Sequence, residues 1–452
     1  MHQYIGDRAF YKTLFTVAAP LILQQLITTS VQLVDNVMVG KLGEEAIGAV
    51  SVVNQLYFVV ILITFGALGG AGIFTAQYFG SKDYDKLKQT FRFKLLIGFM
   101  IAILSFVIFS LFGKSLVMIF TDNPNTISLA MTYLTYAKWS AFPWILSVAI
   151  ANTFRETGIT KPLLIISLVA IFTNTFLNYI LIFGNFGFPV LGVEGAAIAT
   201  TASRFVEFFL MLYLLVSKGQ FFKTSLKDVL LIDKKLLSSI IVMALPLLLN
   251  ELFWSTGQTV FLHAYSRRGD QALAAMNITS AISQLVFVTF GAIATAVAVL
   301  VGNTLGKNEL DQAKDNAKKL IATAVMVAVA AGFILFILSF FILNIYDVAD
   351  ATKKIAQFNI RINALFIPVF SFNVTLYFTL RAGGDTKSTF LMDAGYMWIL
   401  PVPTAILLSY LTSLPVTLMF LLVQMLDIPK MVIGLSRYRK EHWVRNLAKE
   451  DV

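Results

Sequence analysis

The sequence contains no cysteine, so disulfides, CxxC metal sites and thiol nucleophiles are excluded from the start. Histidine is scarce as well: His2, His263 and His442 are the three copies, and none forms an HExxH pair. There is no GxxxxGK[ST] phosphate loop and no GxSxG nucleophile elbow. ATP-driven pumping and intramembrane proteolysis therefore have no motif behind them, and an enzyme is not expected. Charge is also thin. Charged residues make up 13% of the 452 positions while hydrophobic residues reach 58%, against roughly a quarter and a half in soluble domains.

That apolar surplus belongs in lipid. A spanning helix needs about 20 mainly apolar residues, and the sequence predicts an all-α, polytopic membrane protein with about twelve of them. They are placed at 14–39, 46–79, 93–119, 129–152, 162–184, 192–217, 236–262, 272–302, 317–345, 355–378, 389–411 and 413–436. The long runs 46–79 and 272–302 are expected to tilt or protrude. The polar start, Met1 to Thr13, enters an apolar run without a small-residue cleavage site, so the first helix is expected to be retained rather than removed as a signal peptide.

The net charge of +10 arises from 35 Lys and Arg against 25 Asp and Glu. In a soluble chain that balance would suggest nucleic acid. Here the basic residues gather in short loops, five in Ser81 to Lys94 and five in Lys218 to Lys235, so no nucleic-acid partner is expected. With both termini cytoplasmic, 25 Lys and Arg fall on the cytoplasmic side, while Lys41, Arg267, Arg268, Lys353 and Lys354 fall on the other. The positive-inside rule then gives a multi-pass protein of the cell membrane with cytoplasmic ends.

An internal repeat recurs at an offset of 226 residues: Pro20 matches Pro246, Gly80 matches Gly306, and Arg155, Gly158, Thr160 and Lys161 match Arg381, Gly384, Thr386 and Lys387. A polar loop matching at one offset is hard to obtain from chance likeness between apolar helices. Six helices separate the copies, so the repeats run parallel, related by a pseudo-two-fold axis along the membrane normal, an architecture that transporters use. The expected organisation is an N-terminal six-helix lobe, 1–217, a cytoplasmic linker, 218–235, and a C-terminal lobe with a basic tail, 236–452. Pro20 and Pro246 interrupt the first helix of each lobe, as hinges or as static bends.

Ionisable side chains inside a membrane are costly and are candidates for function. Asp35 lies on a stripe with Gln24, Thr28 and Gln32 at helical spacing, which implies a wet interior rather than lipid. The bland alternative is an acid capping or pairing near the helix end. Glu251, with Ser255 and Gln258 one and two turns on, marks a second polar face in the C-terminal half. Asn174 and Asn178, and Asn359 and Asn363, are amide pairs one turn apart, suited either to coordinating Na+ beside an acid or to interhelical hydrogen bonds. Thr28, Gln32, Gln55, Gln284 and Asn373 are expected to line a substrate cavity, and Arg204 and Glu207 to form a local ion pair. Asp393 has no assigned role.

These residues carry a resemblance. Val34-Asp35-Asn36-Val37-Met38-Val39-Gly40-Lys41-Leu42-Gly43 resembles the first-helix signature of the multidrug and toxic compound extrusion (MATE) transporters. Asn174-Thr175-Phe176-Leu177-Asn178-Tyr179, the run from Gly192 to Thr200 and the Arg/Gly/Thr/Lys loops of both halves extend it over nearly the whole chain. The resemblance implies a two-lobed exporter of small cationic or amphipathic molecules that exchanges them for Na+ or H+, needs no cofactor and acts as a monomer in membrane lipid. It implies an ion site of Asp35, Asn174, Asn178 and Thr200. Asn178 and Glu251 fit the NorM-like branch better than the DinF-like one, although the tenth-helix Asp of many NorM-like members is missing between Gln357 and Tyr377. An acid in such a cleft can take up a proton or, ionised, hold Na+, and cavity aromatics attract a cationic drug. Two rivals remain: a lipid-linked oligosaccharide flippase of the same superfamily, disfavoured by the helix count and the acids, and a non-transporting membrane receptor or scaffold, disfavoured by the repeat.

Overall fold

The computed structural model describes residues 4–346 and 348–449, and among them there are twelve helical rods and no strand. They are α1 (Arg8–Gly40), α2 (Glu44–Ser81), α3 (Tyr84–Val117), α4 (Pro124–Ala137, carried on through a 3₁₀ turn to Ala141–Glu156), α5 (Lys161–Phe183) and α6 (Val193–Lys218). The second set is α7 (Lys234–Ser266), α8 (Asp270–Val297, continued by a π turn into Asn303–Gly306), α9 (Leu310–Leu338), α10 (Asp350–Ala382), α11 (Thr386–Leu411) and α12 (Val416–Arg439). Ten of them are long and apolar enough to cross a membrane; turns interrupt the other two, α4 and α8, and a π turn, Leu391–Gly395, also lies within α11. A helix satisfies its own backbone polar groups, which is why apolar segments in lipid take this form.

The helix ends show the usual chemistry. Asp83 caps α3 by accepting from the Lys86 amide at 3.0 Å, and Asn123 precedes Pro124 at the start of α4. Gly184 ends α5 with φ of 70°, a left-handed cap that other residues adopt only under strain.

The chain forms two compact units. The N-terminal unit comprises Ala19–Phe79 and Asp83–Ile241; the C-terminal unit comprises the stretch ending at Ala18, Gly80–Lys82 and everything from Val242 onward. The division therefore passes through α1 and α7, next to Pro20 and just before Pro246, prolines that lie inside those helices.

Small side chains dominate the N-terminal core, with Ala49, Val53, Ala102, Ala141 and Ala197 wholly buried around Ile145 and Ile182. In the absence of a hydrophobic drive between helices in lipid, small residues let backbones approach and gain dispersion contact. At Gly195 a Cβ would stand 2.6 Å from the Leu181 backbone, so α5 and α6 touch main chain to main chain.

One cation departs from the sequence expectation. Lys94, counted with the cytoplasmic loop, is fully buried on α3, where its ammonium pairs with Glu156 and donates to Thr153 at 3.2 Å. Gly72 leaves room for that carboxylate: a Cβ there would collide with Glu156. A buried ion pair is costly to break one-sidedly, by about 3–5 kcal/mol, because the survivor keeps its charge without a partner. Lys94→Met is therefore expected to lower the melting temperature of the purified protein strongly, and Lys94→Met with Glu156→Gln to recover most of the loss. Equal destabilisation by the single and double variants would show that the pair does not act as a unit.

Candidate functional site

In the N-terminal unit, α1 presents Gln24, Thr28, Gln32 and Asp35, and α5 presents Ser167, Asn174 and Asn178. The Asn178 amide donates to Asp35 Oδ1 at 3.0 Å and to Asn174 Oδ1 at 3.4 Å, and the Asn174 amide donates to Thr200 Oγ1 of α6 at 3.4 Å. Tyr133 of α4 hydrogen-bonds Thr200 as well. The four residues that the resemblance assigns to the ion site thus form one hydrogen-bonded chain across α1, α5 and α6, and the glycine contact between α5 and α6 holds its two later members in register.

Nearer the start of the same helices, Gln24 donates to Ser167, while the Thr28 hydroxyl turns back to the Gln24 carbonyl at 2.8 Å and Gln32 is exposed. Both contacts between α1 and α5 join residues 143 apart, so the two helices run in the same direction.

Asp35 is half-buried, and among the described residues no cation hydrogen-bonds it. Arg204 acts on it electrostatically but donates to Glu207 on its own helix at 2.8 Å. Asn178 Oδ1 is buried and accepts nothing. An unsatisfied buried oxygen costs about 1–3 kcal/mol, and this one belongs to the amide that holds Asp35. Asp35, the two amide oxygens and the Thr200 hydroxyl make an all-oxygen donor set, the kind that hard cations take.

The C-terminal unit is different. No hydrogen bond joins Glu251 to Ser255 or Gln258, and Gln258 is exposed. The polar centre is built instead on Asn250, which the sequence did not single out. Its amide nitrogen donates to Asp393 Oδ2 at 3.0 Å and to the Tyr377 hydroxyl at 3.4 Å, and its oxygen accepts the Ala394 amide at 3.2 Å. Lys430 of α12 donates to Asp393 Oδ1 at 2.6 Å. Glu251, the next residue on α7, feels Arg381 and Asp393 electrostatically.

The amides of α10 serve interhelical bonding. Asn363 donates to Ser283 at 2.7 Å and accepts from Gln424 at 2.7 Å; Asn359 donates to the Met276 sulfur at 3.3 Å. Asn373, expected to line the cavity, is buried and donates to the Asp427 carbonyl at 3.1 Å, a contact between α10 and α12. Gln55 and Gln284 are exposed. A small cavity in this unit is lined by Asn363, Phe366, Phe370, Gln424 and Asp427.

A membrane protein of two parallel repeats, with acids and amides hydrogen-bonded inside its helices, has the construction of a secondary transporter. The comparisons specify which. The MatE family model matches residues 20–180 and again 246–407, and the chain belongs to that family. It is 27% identical over 401 residues to the probable multidrug resistance protein YoeA of Bacillus subtilis, with 88% of this chain and 86% of that one covered. It is 27% identical over 426 residues to the probable multidrug resistance protein NorM of Bradyrhizobium diazoefficiens, with 91% and 89% covered. Among solved structures, the outward-facing conformation of a multidrug resistance MATE family transporter of the MOP superfamily superposes with a TM-score of 0.85 at 19% identity, over 97% of this chain and 98% of that one.

Proposed function

We propose that this chain is a secondary active multidrug exporter that expels small cationic or amphipathic molecules in exchange for Na+ or H+, by alternating access between its two repeats. The single observation that carries the coupling site is the Asp35–Asn178 contact with the Asn178 oxygen left unsatisfied. Ionised, Asp35 would hold Na+ together with the oxygens of Asn174, Asn178 and Thr200; protonated, it would donate to one of them. Either ion brings about 2.3 kcal/mol per 100 mV of membrane potential. A carrier uses that drive only if the ion binds its open states with different affinity, because equal binding shifts no equilibrium. Asn178 and Glu251 support a place in the NorM-like branch, and the loop cations support cytoplasmic termini in the cell membrane.

Asp35→Asn keeps size and hydrogen bonding but supplies no exchangeable proton and no charge. Gradient-driven efflux in proteoliposomes is expected to fall to background, with equilibrium binding of a cationic dye retained; full gradient-dependent efflux would refute the coupling role, and an unfolded variant would make Asp35 a structural residue. Glu251→Gln is expected to impair efflux less than Asp35→Asn at equal expression, since Glu251 has no hydrogen-bonded ligand set around it; an equal or greater loss would reverse the ranking of the two halves. The cysteine-free background allows a direct check of orientation. A cysteine introduced at Lys41 is expected to react with an impermeant maleimide on intact cells, and one at Lys223 only after permeabilisation.

A further inference from the structure

The repeat makes the two units comparable residue by residue. At the offset of 226, Asn250 corresponds to Gln24, Asp393 to Ser167 and Lys430 to Arg204. Gln24–Ser167 and Asn250–Asp393 are therefore the same contact in the two copies, neutral in the first and charged in the second. The basic positions also diverge. Arg204 turns to Glu207 on its own helix, whereas Lys430 crosses to Asp393 at 2.6 Å. Its side chain is 14% exposed and that of Asp393 is 22% exposed; Lys430 lies about midway along α12 and Asp393 about two turns into α11.

The local backbone is arranged for this acid. Asp393 sits in the middle of a π turn, Leu391–Gly395, within α11. Such turns free backbone groups from the helical ladder and recur at functional positions. The Asn250 side chain meets the consequence from both ends, its oxygen taking the Ala394 amide while its nitrogen holds the carboxylate. Of the other charged groups, Glu251 interacts electrostatically with Asp393 and Asp427 with Lys430, while Arg381 acts on Glu251.

A carboxylate held by one amide describes Asp35 with Asn178 as well as Asp393 with Asn250. They differ in the cation. We propose that Lys430 is a tethered cation occupying the position on Asp393 that a free monovalent cation would otherwise take, so that the C-terminal unit holds a permanently filled carboxylate–amide site, similar in chemistry to Asp35 with Asn178 but at the repeat position of Ser167. Removing its ammonium uncovers a second site, on Asp393, for Na+ or a small alkylammonium ion. The comparison with Asp35 rests on the reading of Asp35 given above; the uncovered site does not.

The test is thermal unfolding of the purified full chain in NaCl, propylammonium chloride or choline chloride at one ionic strength. Lys430→Ala is expected to melt about 5–10 °C below the parent in choline, and to regain at least half of that in Na+ or propylammonium. Response to propylammonium alone would identify the site as an ammonium site, and response to Na+ as well would make it a general monovalent-cation site. Adding Asp393→Asn should abolish the response, and adding Glu251→Gln should not. A Lys430→Ala protein indifferent to both cations, or one whose response survives Asp393→Asn, overturns the proposal. Should Lys430→Ala not fold, the parent lysine decides the matter: in an Asp35→Asn background, Asp393→Asn is expected to leave any remaining cation response unchanged, and its loss would show that Asp393 already binds a free ion. Failure of the Asp35 reading would appear separately, as a response shared equally by the parent and Asp35→Asn.

Discussion

The cost of charge in hydrocarbon governs this molecule. Each ionised group that the apolar helices enclose needs a partner or a wet surface, and the two units meet that demand differently. Lys94 finds Glu156 and Lys430 finds Asp393, both pairs internal and both reinforced by neutral donors or acceptors, Thr153 in one case and Asn250 in the other. Asp35 finds only an amide, and the amide oxygen behind it is left without a donor. Uneven satisfaction of this kind is what the proposed coupling role of Asp35 rests on, in contrast to the two paired lysines.

Close backbone packing makes the second kind tolerable. The contact of α5 with α6 at Gly195 fixes the spacing of Asn174, Asn178 and Thr200 without any of them being charged. The positions of these side chains thus come from van der Waals packing between helices, so the proposed coupling ion would not have to assemble them. Its binding energy is then free to bias larger motions.

Much of the architecture was legible in the sequence because apolar length and loop charge are read directly in a membrane chain: twelve rods occur where twelve runs were expected. The chain Asp35–Asn178–Asn174–Thr200 was legible because each member stands on a periodic polar face or in a recognisable motif. Asp393 was not. It is a single acid in an apolar run, its partners lie on distant helices, and the π turn that presents it leaves no mark in composition or period. Lys94 was misplaced for a related reason, since a lysine about three turns into α3 looks the same in sequence whether it faces water or Glu156. The one signal that would have found the C-terminal cluster is the repeat itself, which sets Asp393 against Ser167 and Lys430 against Arg204.

The π turn in α11 also bears on how the two copies came to differ. A π turn takes up an extra residue without completing an extra turn, so the side chains that follow Gly395 are displaced by about 100° around the axis relative to a regular helix, and the winding is interrupted again at Leu400, whose φ is −125°. The α5 counterpart contains no such turn. Leu400 and Thr404 stand at the positions of Asn174 and Asn178 in the repeat, yet the two sets follow helices of different winding. Restoring the amides by substitution alone would therefore leave them on a helix of different winding, and a duplicated polar face can diverge through winding as well as through a change of residues.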